Sequence, residues 1–161
     1  MSKMKRNLWI AKYFLIVFSM LSLHSAVAQD KINYLSIRDS QKIFTCSKND
    51  LESVNLSIKN LLALDTSHIT KGLPDYFYDL GMAYYIKSEM HGESEFSKSS
   101  INAFERCIEK DKKKGNAYHN LSLIYHFHQA YPKAKEYLKL YKKYTPKKYW
   151  DTEFIDMVNK S

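Results

Sequence analysis

Glycine is scarce in this chain, four in 161 residues. Loops that cradle phosphate and the strained turn that presents a nucleophilic serine both need glycine at fixed spacings, and neither pattern occurs. The H-E-x-x-H zinc pattern is also missing. Cysteine is limited to Cys46 and Cys107, far apart and without a C-x-x-C pair, which argues against structural zinc and thioredoxin-type redox chemistry. Among the histidines, His126 and His128 diverge on a helix, and His119 and His126 stand two helical turns apart. No carboxylate or cysteine lies beside them in sequence to complete a ligand set. The expectation is therefore no metal, no cofactor and no catalytic centre. Proline is rare too, and Pro74, Pro132 and Pro146 fall where helices would open or close.

What is present begins with a leader-like stretch. Lys3, Lys5 and Arg6 precede an apolar run from Leu8 to Leu23, and Ala26-Val27-Ala28 follows. That is the layout of a secretory signal peptide, residues 1–28, with cleavage expected after Ala28 and a periplasmic or secreted product. If cleavage did not occur, this segment would be the chain's sole link to a membrane. Export also permits a Cys46–Cys107 disulfide, although a buried free thiol suits Cys107 equally.

The formal charge of +8 is unevenly spread. Four of the basic residues lie in the leader, and Lys110 to Lys148 holds 11 lysines against Asp111 and Glu136. Lys112-Lys113-Lys114 and Lys147-Lys148 could draw an acidic partner, while solvated helix faces explain most such lysines. An exported chain meets little nucleic acid, so none is expected as a partner. Tyr131, Tyr137, Tyr141, Tyr144 and Tyr149 interleave with lysines, a pattern that suits rings at the edge of a helical core.

Periodicity then organises the chain. Phe77, Leu80, Gly81 and Tyr84 are followed by Ser100, Phe104 and Cys107. Tyr118, Leu121, Ser122 and Tyr125 are followed by Ala134, Leu138 and Pro146. The second set fits the 34-residue pattern W-x2-L-G-x2-Y, A-x3-F and a late proline without a gap. Residues 74–148 thus resemble two tetratricopeptide repeats. In the first, about seven extra residues fall between Lys87 and Phe96, where an exposed loop or frayed helix end is expected; Sel1-like repeats share such long turns. The resemblance implies an all-α fold, a right-handed superhelical stack of antiparallel helix pairs with about seven helices after the leader. Residues 29–73 would form a degenerate N-terminal helix pair, with helical segments over Gln29 to Cys46 and Leu51 to Leu62 and a plain connection from Ser67 to Pro74. Residues 149–161 would cap the far end, since an array needs a polar outer side on its last helix.

The same resemblance implies function: first helices line a concave groove that holds a protein or peptide partner. Carried onto this chain, the groove positions are Asp75, Tyr78, Met82, Tyr85 and Ile86 in the first unit, and Asn116, His119, Leu123, His126 and Phe127 in the second. Helical spacing independently puts Tyr78, Met82 and Tyr85 on one face, and His119, Leu123 and His126 on another. The expected function is an exported interaction module or adaptor. The alternative is a periplasmic inhibitor or immunity protein that blocks a toxin or hydrolase by shape.

Overall fold

The computed structural model describes residues 31–47, 49–91 and 94–161; the leader reading lies outside the described residues. Among the described residues the protein is mostly helical, with seven α-helices: α1 Tyr34–Ser40, α2 Leu51–Leu62, α3 Leu73–His91, α4 Ser94–Lys110, α5 Gly115–Phe127, α6 Tyr131–Tyr144 and α7 Thr152–Asn159. Each helix from α2 onward packs chiefly on its neighbours in sequence, α3 on α4 and α5 on α6 most extensively.

Local chemistry sets the helix ends. The Asp50 carboxylate accepts from the backbone N–H of Glu52 and Ser53, satisfying donors that have no partner within α2. Asp151 does the same for Phe154 at the start of α7. Pro74 and Pro132 sit in the first turns of α3 and α6, where a missing N–H is harmless.

Three segments depart from the sequence expectation. The helix expected over Gln29 to Cys46 is short. Ile32–Asn33 (β1) pairs in parallel with Ile69–Lys71 (β2), so the segment expected as a plain connection carries a strand. Helix α1 stops at Ser40 in a left-handed cap: Lys42 takes a φ of 49°, and the N–H groups of Lys42 and Ile43 turn back to donate to the Asp39 and Arg38 carbonyls. The chain beyond runs extended, and the Thr45 N–H donates to Ser57 Oγ of α2 at 2.9 Å. Gly72, φ 80°, turns the chain from β2 into α3; a Cβ there would lie 2.8 Å from Leu35 Cγ as well as straining the backbone.

The second departure is the expected loop between the first repeat's helices. The extra residues lengthen the helices instead: α3 continues to His91 and α4 begins at Ser94. Tyr85 hydrogen-bonds Glu89 one turn on, Lys87 Nζ stands 4.3 Å from the Phe96 ring centre, and the His91 and Phe96 rings are adjacent, so the two helix ends bind each other. Third, the last helix starts at Thr152, two residues later than the apolar pattern from Trp150 implies. Its buried face is Phe154, Ile155 and Val158.

The core has two lobes. One runs from Tyr34 through Val54, Phe77, Phe104 and Cys107 to Leu121; the other gathers Tyr118, Ala134, Leu138, Tyr141 and the buried face of α7. Leu123, Tyr125 and Tyr137 touch both. Helix α3 lies at the centre of the larger lobe and is buried at Tyr76, Phe77, Asp79, Leu80, Gly81, Ala83, Tyr85 and Ile86, while Asp75, Tyr78 and Met82 stay partly open and the last turn is exposed.

Candidate functional site

A cleft of about 540 Å³ opens where the first turns of α3 and α5 come side by side. Arg38 of α1, Asp75, Tyr78 and Asp79 of α3, and Lys113 to Asn116 at the start of α5 line it, with Tyr144 to Pro146 and Tyr149 as the opposite rim.

Its floor is polar and largely satisfied. Asp79 is only 2 % exposed. Tyr34 donates its hydroxyl to Asp79 Oδ2 at 2.7 Å, and Arg38 Nη2 donates to Oδ1 at 3.1 Å. Arg38 Nε is 2.7 Å from Oδ2 but off line for a hydrogen bond, so this contact is electrostatic only. Burial pushes the Asp79 carboxyl up to about 6, against the opposing pull of the Tyr34 hydrogen bond and the Arg38 charge. Desolvation and the neighbouring Asp79 carboxylate raise the Tyr34 hydroxyl. One turn away, Lys114 Nζ pairs with Asp75 Oδ1 at 2.7 Å. Tyr78 rests its ring on Phe104, and Asn120 Nδ2 donates to the Tyr78 hydroxyl at 3.4 Å and approaches Met82 Sδ at 3.1 Å.

The rim is fixed from behind. Tyr141 donates its hydroxyl to the Tyr149 carbonyl and accepts from the Asp151 N–H, while Trp150 Nε1 donates to the Thr145 carbonyl at 2.8 Å. These bonds hold the single turn Lys147–Tyr149 in place and leave the Tyr149 ring 64 % exposed. Thr145 Oγ1 is buried against Gly115 with no hydrogen-bond partner.

The ten residues expected to line a partner groove separate into four groups. Asp75, Tyr78 and Asn116 line the cleft, with half-buried Met82 just behind Tyr78. Tyr85 and Ile86 do not face the cleft: both are buried in the large lobe, while the open side of α3 is the one that carries Asp75, Tyr78 and Met82. His119, Leu123 and His126 lie toward α7, which occupies the flank that the sequence left open. The His119 ring packs 4.3 Å from the Phe154 centroid and 5.1 Å from that of Tyr141, with Nε2 3.5 Å from Asp151 Oδ2. His126 Nδ1 is 3.2 Å from Ser161 Oγ, and its ring meets Tyr131. Phe127 is 63 % exposed at the end of α5.

His128 turns to Ser97 instead. Among the described residues, no three His, Cys, Asp or Glu side chains converge as a metal site requires. Cys46 and Cys107 are both free thiols; Cys107 lies fully buried, and desolvation pushes it up to about 12. No helix among the described residues is long and apolar enough to cross a membrane.

Sequence reading missed Arg38, Asp79, Lys114, Thr145 and Tyr149 as parts of one site. A signal existed for Asp79, a carboxylate within an otherwise apolar stretch from Tyr76 to Ala83. For the others, only the fold shows which turns meet.

Comparison with protein-family models, with curated proteins and with solved structures finds no match.

Proposed function

We propose that the protein is an exported, tetratricopeptide-like stack of helix pairs that holds a segment of another polypeptide in the cleft between the first turns of α3 and α5. The observation that carries the reading is that one cleft is shared by two first helices, and that Tyr78 and Asn116, two positions the repeat pattern assigns to partner contact, both line it. Two further features support it. The signature positions Phe77, Leu80, Ser100, Phe104 and Cys107, and Tyr118, Leu121, Ser122, Ala134 and Leu138, are buried, and Tyr84 and Tyr125 are half-buried, which suits a repeat's internal packing. The cleft's mixture of tyrosine rings with both signs of charge suits a peptide better than a uniformly apolar ligand. Export rests on the leader-like layout of residues 1–28.

Groove contact in this reading is narrower than the ten positions carried over from the repeat pattern. Tyr85 and Ile86 act in the core, and His119 seats α7. The test is a photo-crosslinking side chain placed at Asn116, with Asn55 on the outer side of α2 as the control, activated in the native host. A discrete polypeptide adduct from position 116 and none from position 55 is the expected result. Equal labelling from both positions, or none from either, would sink the proposal.

A further inference from the structure

Two lysine blocks that stand more than thirty residues apart in the chain flank the cleft: Lys113 and Lys114 line it, and Lys147 and Lys148 fall between the lining residues Pro146 and Tyr149. Lys113 and Lys114 form one lip. Pro146 and Tyr149 form the other, with Lys147 and Lys148 exposed between them. Among the described residues none of Lys112, Lys113, Lys147 or Lys148 pairs with a carboxylate, whereas the deeper cations are matched, Arg38 by Asp79 and Lys114 by Asp75. The start of α5 adds positive potential of its own: no side chain caps it and its first turn has no acid. Gly115 and Asn116 present that end to the cleft.

Resting on the polypeptide-binding reading above, we infer that the segment held here is acidic, with carboxylates meeting the Lys112–Lys114 and Lys147–Lys148 turns and an apolar side chain entering between Tyr78 and Tyr149. The geometry favours this over other polyanions. Nucleic acid carries about one charge per 1.7 Å of duplex, and such density would be pressed against Asp75 and Asp79 inside the cleft. A flat bilayer would touch the lips but not the recess. An acidic segment can space its charges at the mouth and put an uncharged group inside.

The experiment uses the full chain and a short fluorescent peptide in which glutamates flank one phenylalanine, beside its glutamine counterpart. The glutamate peptide is expected to bind roughly tenfold tighter at low ionic strength, and the advantage to shrink as salt screens the lips. Lys113→Glu, Lys147→Glu and Lys148→Glu together should abolish that preference. Lys135→Glu, Lys139→Glu and Lys142→Glu on α6 change the net charge equally and should leave it within about twofold. Melting curves for both triple variants verify folding. Equal losses in the two variants would reduce the effect to net charge and overturn the inference. So would tighter binding of duplex DNA or anionic vesicles through the same three lysines, or absence of binding by either peptide. Equal affinity for both peptides, abolished by a bulky residue at Asn116, would also overturn it while leaving the polypeptide-binding reading intact.

Discussion

The α3–α4 and α5–α6 pairs solve the same crossing in opposite ways. In the first, Gly81 on the leading helix makes room for Phe104, and an added Cβ would lie 2.7 Å from that ring. Ser100 on the following helix then donates to the Gly81 carbonyl at 2.9 Å. In the second pair the serine is on the leading helix: Ser122 donates to the Ala134 carbonyl at 2.7 Å, and the smaller Leu138 stands where Phe104 would. Small-plus-large has been exchanged for medium-plus-medium, with the hydrogen bond reversed in direction. A second contrast runs along the cleft. Asp75 and Asp79 of α3 occupy the places that Asn116 and Asn120 hold in α5, counted from Leu80 and Leu121. On α3 these are carboxylates matched by cations; on α5 they are neutral amides, of which Asn116 lines the cleft. Close packing requires the summed volume at a crossing and a partner for each buried polar group. It does not dictate which helix supplies them.

The sharpest way to break this comparison is at the crossing itself. Gly81→Ala should destabilise the fold by about 1–3 kcal/mol, because the ring of Phe104 must be displaced from a packed site. Adding Phe104→Leu, which remakes the first crossing on the pattern of the second, should recover part of that loss in urea unfolding. If the two effects simply add, the crossings are not interchangeable. A smaller effect tests the reversed hydrogen bonds. Ser100→Ala and Ser122→Ala should each cost about 1 kcal/mol, and a loss confined to one would show that only that bond matters.

The smallest effect is one of pH. Burial raises the Asp79 carboxyl to about 6 in the folded chain, above its ordinary value of 3.8, so its contribution to stability is fully present below that ordinary value and is lost as pH rises through about 6. Asp79→Asn gives α3 the residue that α5 carries at Asn120. The stability difference between wild type and variant should therefore shift in favour of wild type as pH falls from 7 toward 4.5. A difference that stays flat across that window would mean that Asp79 is not held in a desolvated state.

Much of the helical framework was legible in advance, because periodic apolar positions and capping residues are local signals. Pro74 and Pro132 in first turns and the buried set from Phe77 to Cys107 fall where sequence puts them. The misreadings came from competition that sequence does not display. Residues 41–47 have apolar positions compatible with a helix, yet their backbone bonds to Ser57 and the chain turns at Lys42. The residues from Lys87 to Phe96 look like a polar insertion, but contacts across the helix ends make them helical up to His91 and again from Ser94. At the cleft, Tyr78 and Asn116, which the repeat resemblance names, are both among the lining residues. Tyr85 and Ile86, named beside them, are buried instead, because spacing on one helix does not reveal which of its sides the neighbours cover. Arg38, near the end of α1, and Tyr149, in the single turn after α6, come from segments whose convergence is a property of the whole fold.

The two thiols sit at very different depths, and that difference supplies a built-in gauge of motion. Cys46 lies half-buried in the extended run after α1, whereas Cys107 has no exposed surface. A thiol reagent should reach the former through a small excursion of the N-terminal segment and the latter only when the large lobe comes apart. Labelling both in one reaction would time the edge and the centre of the molecule separately.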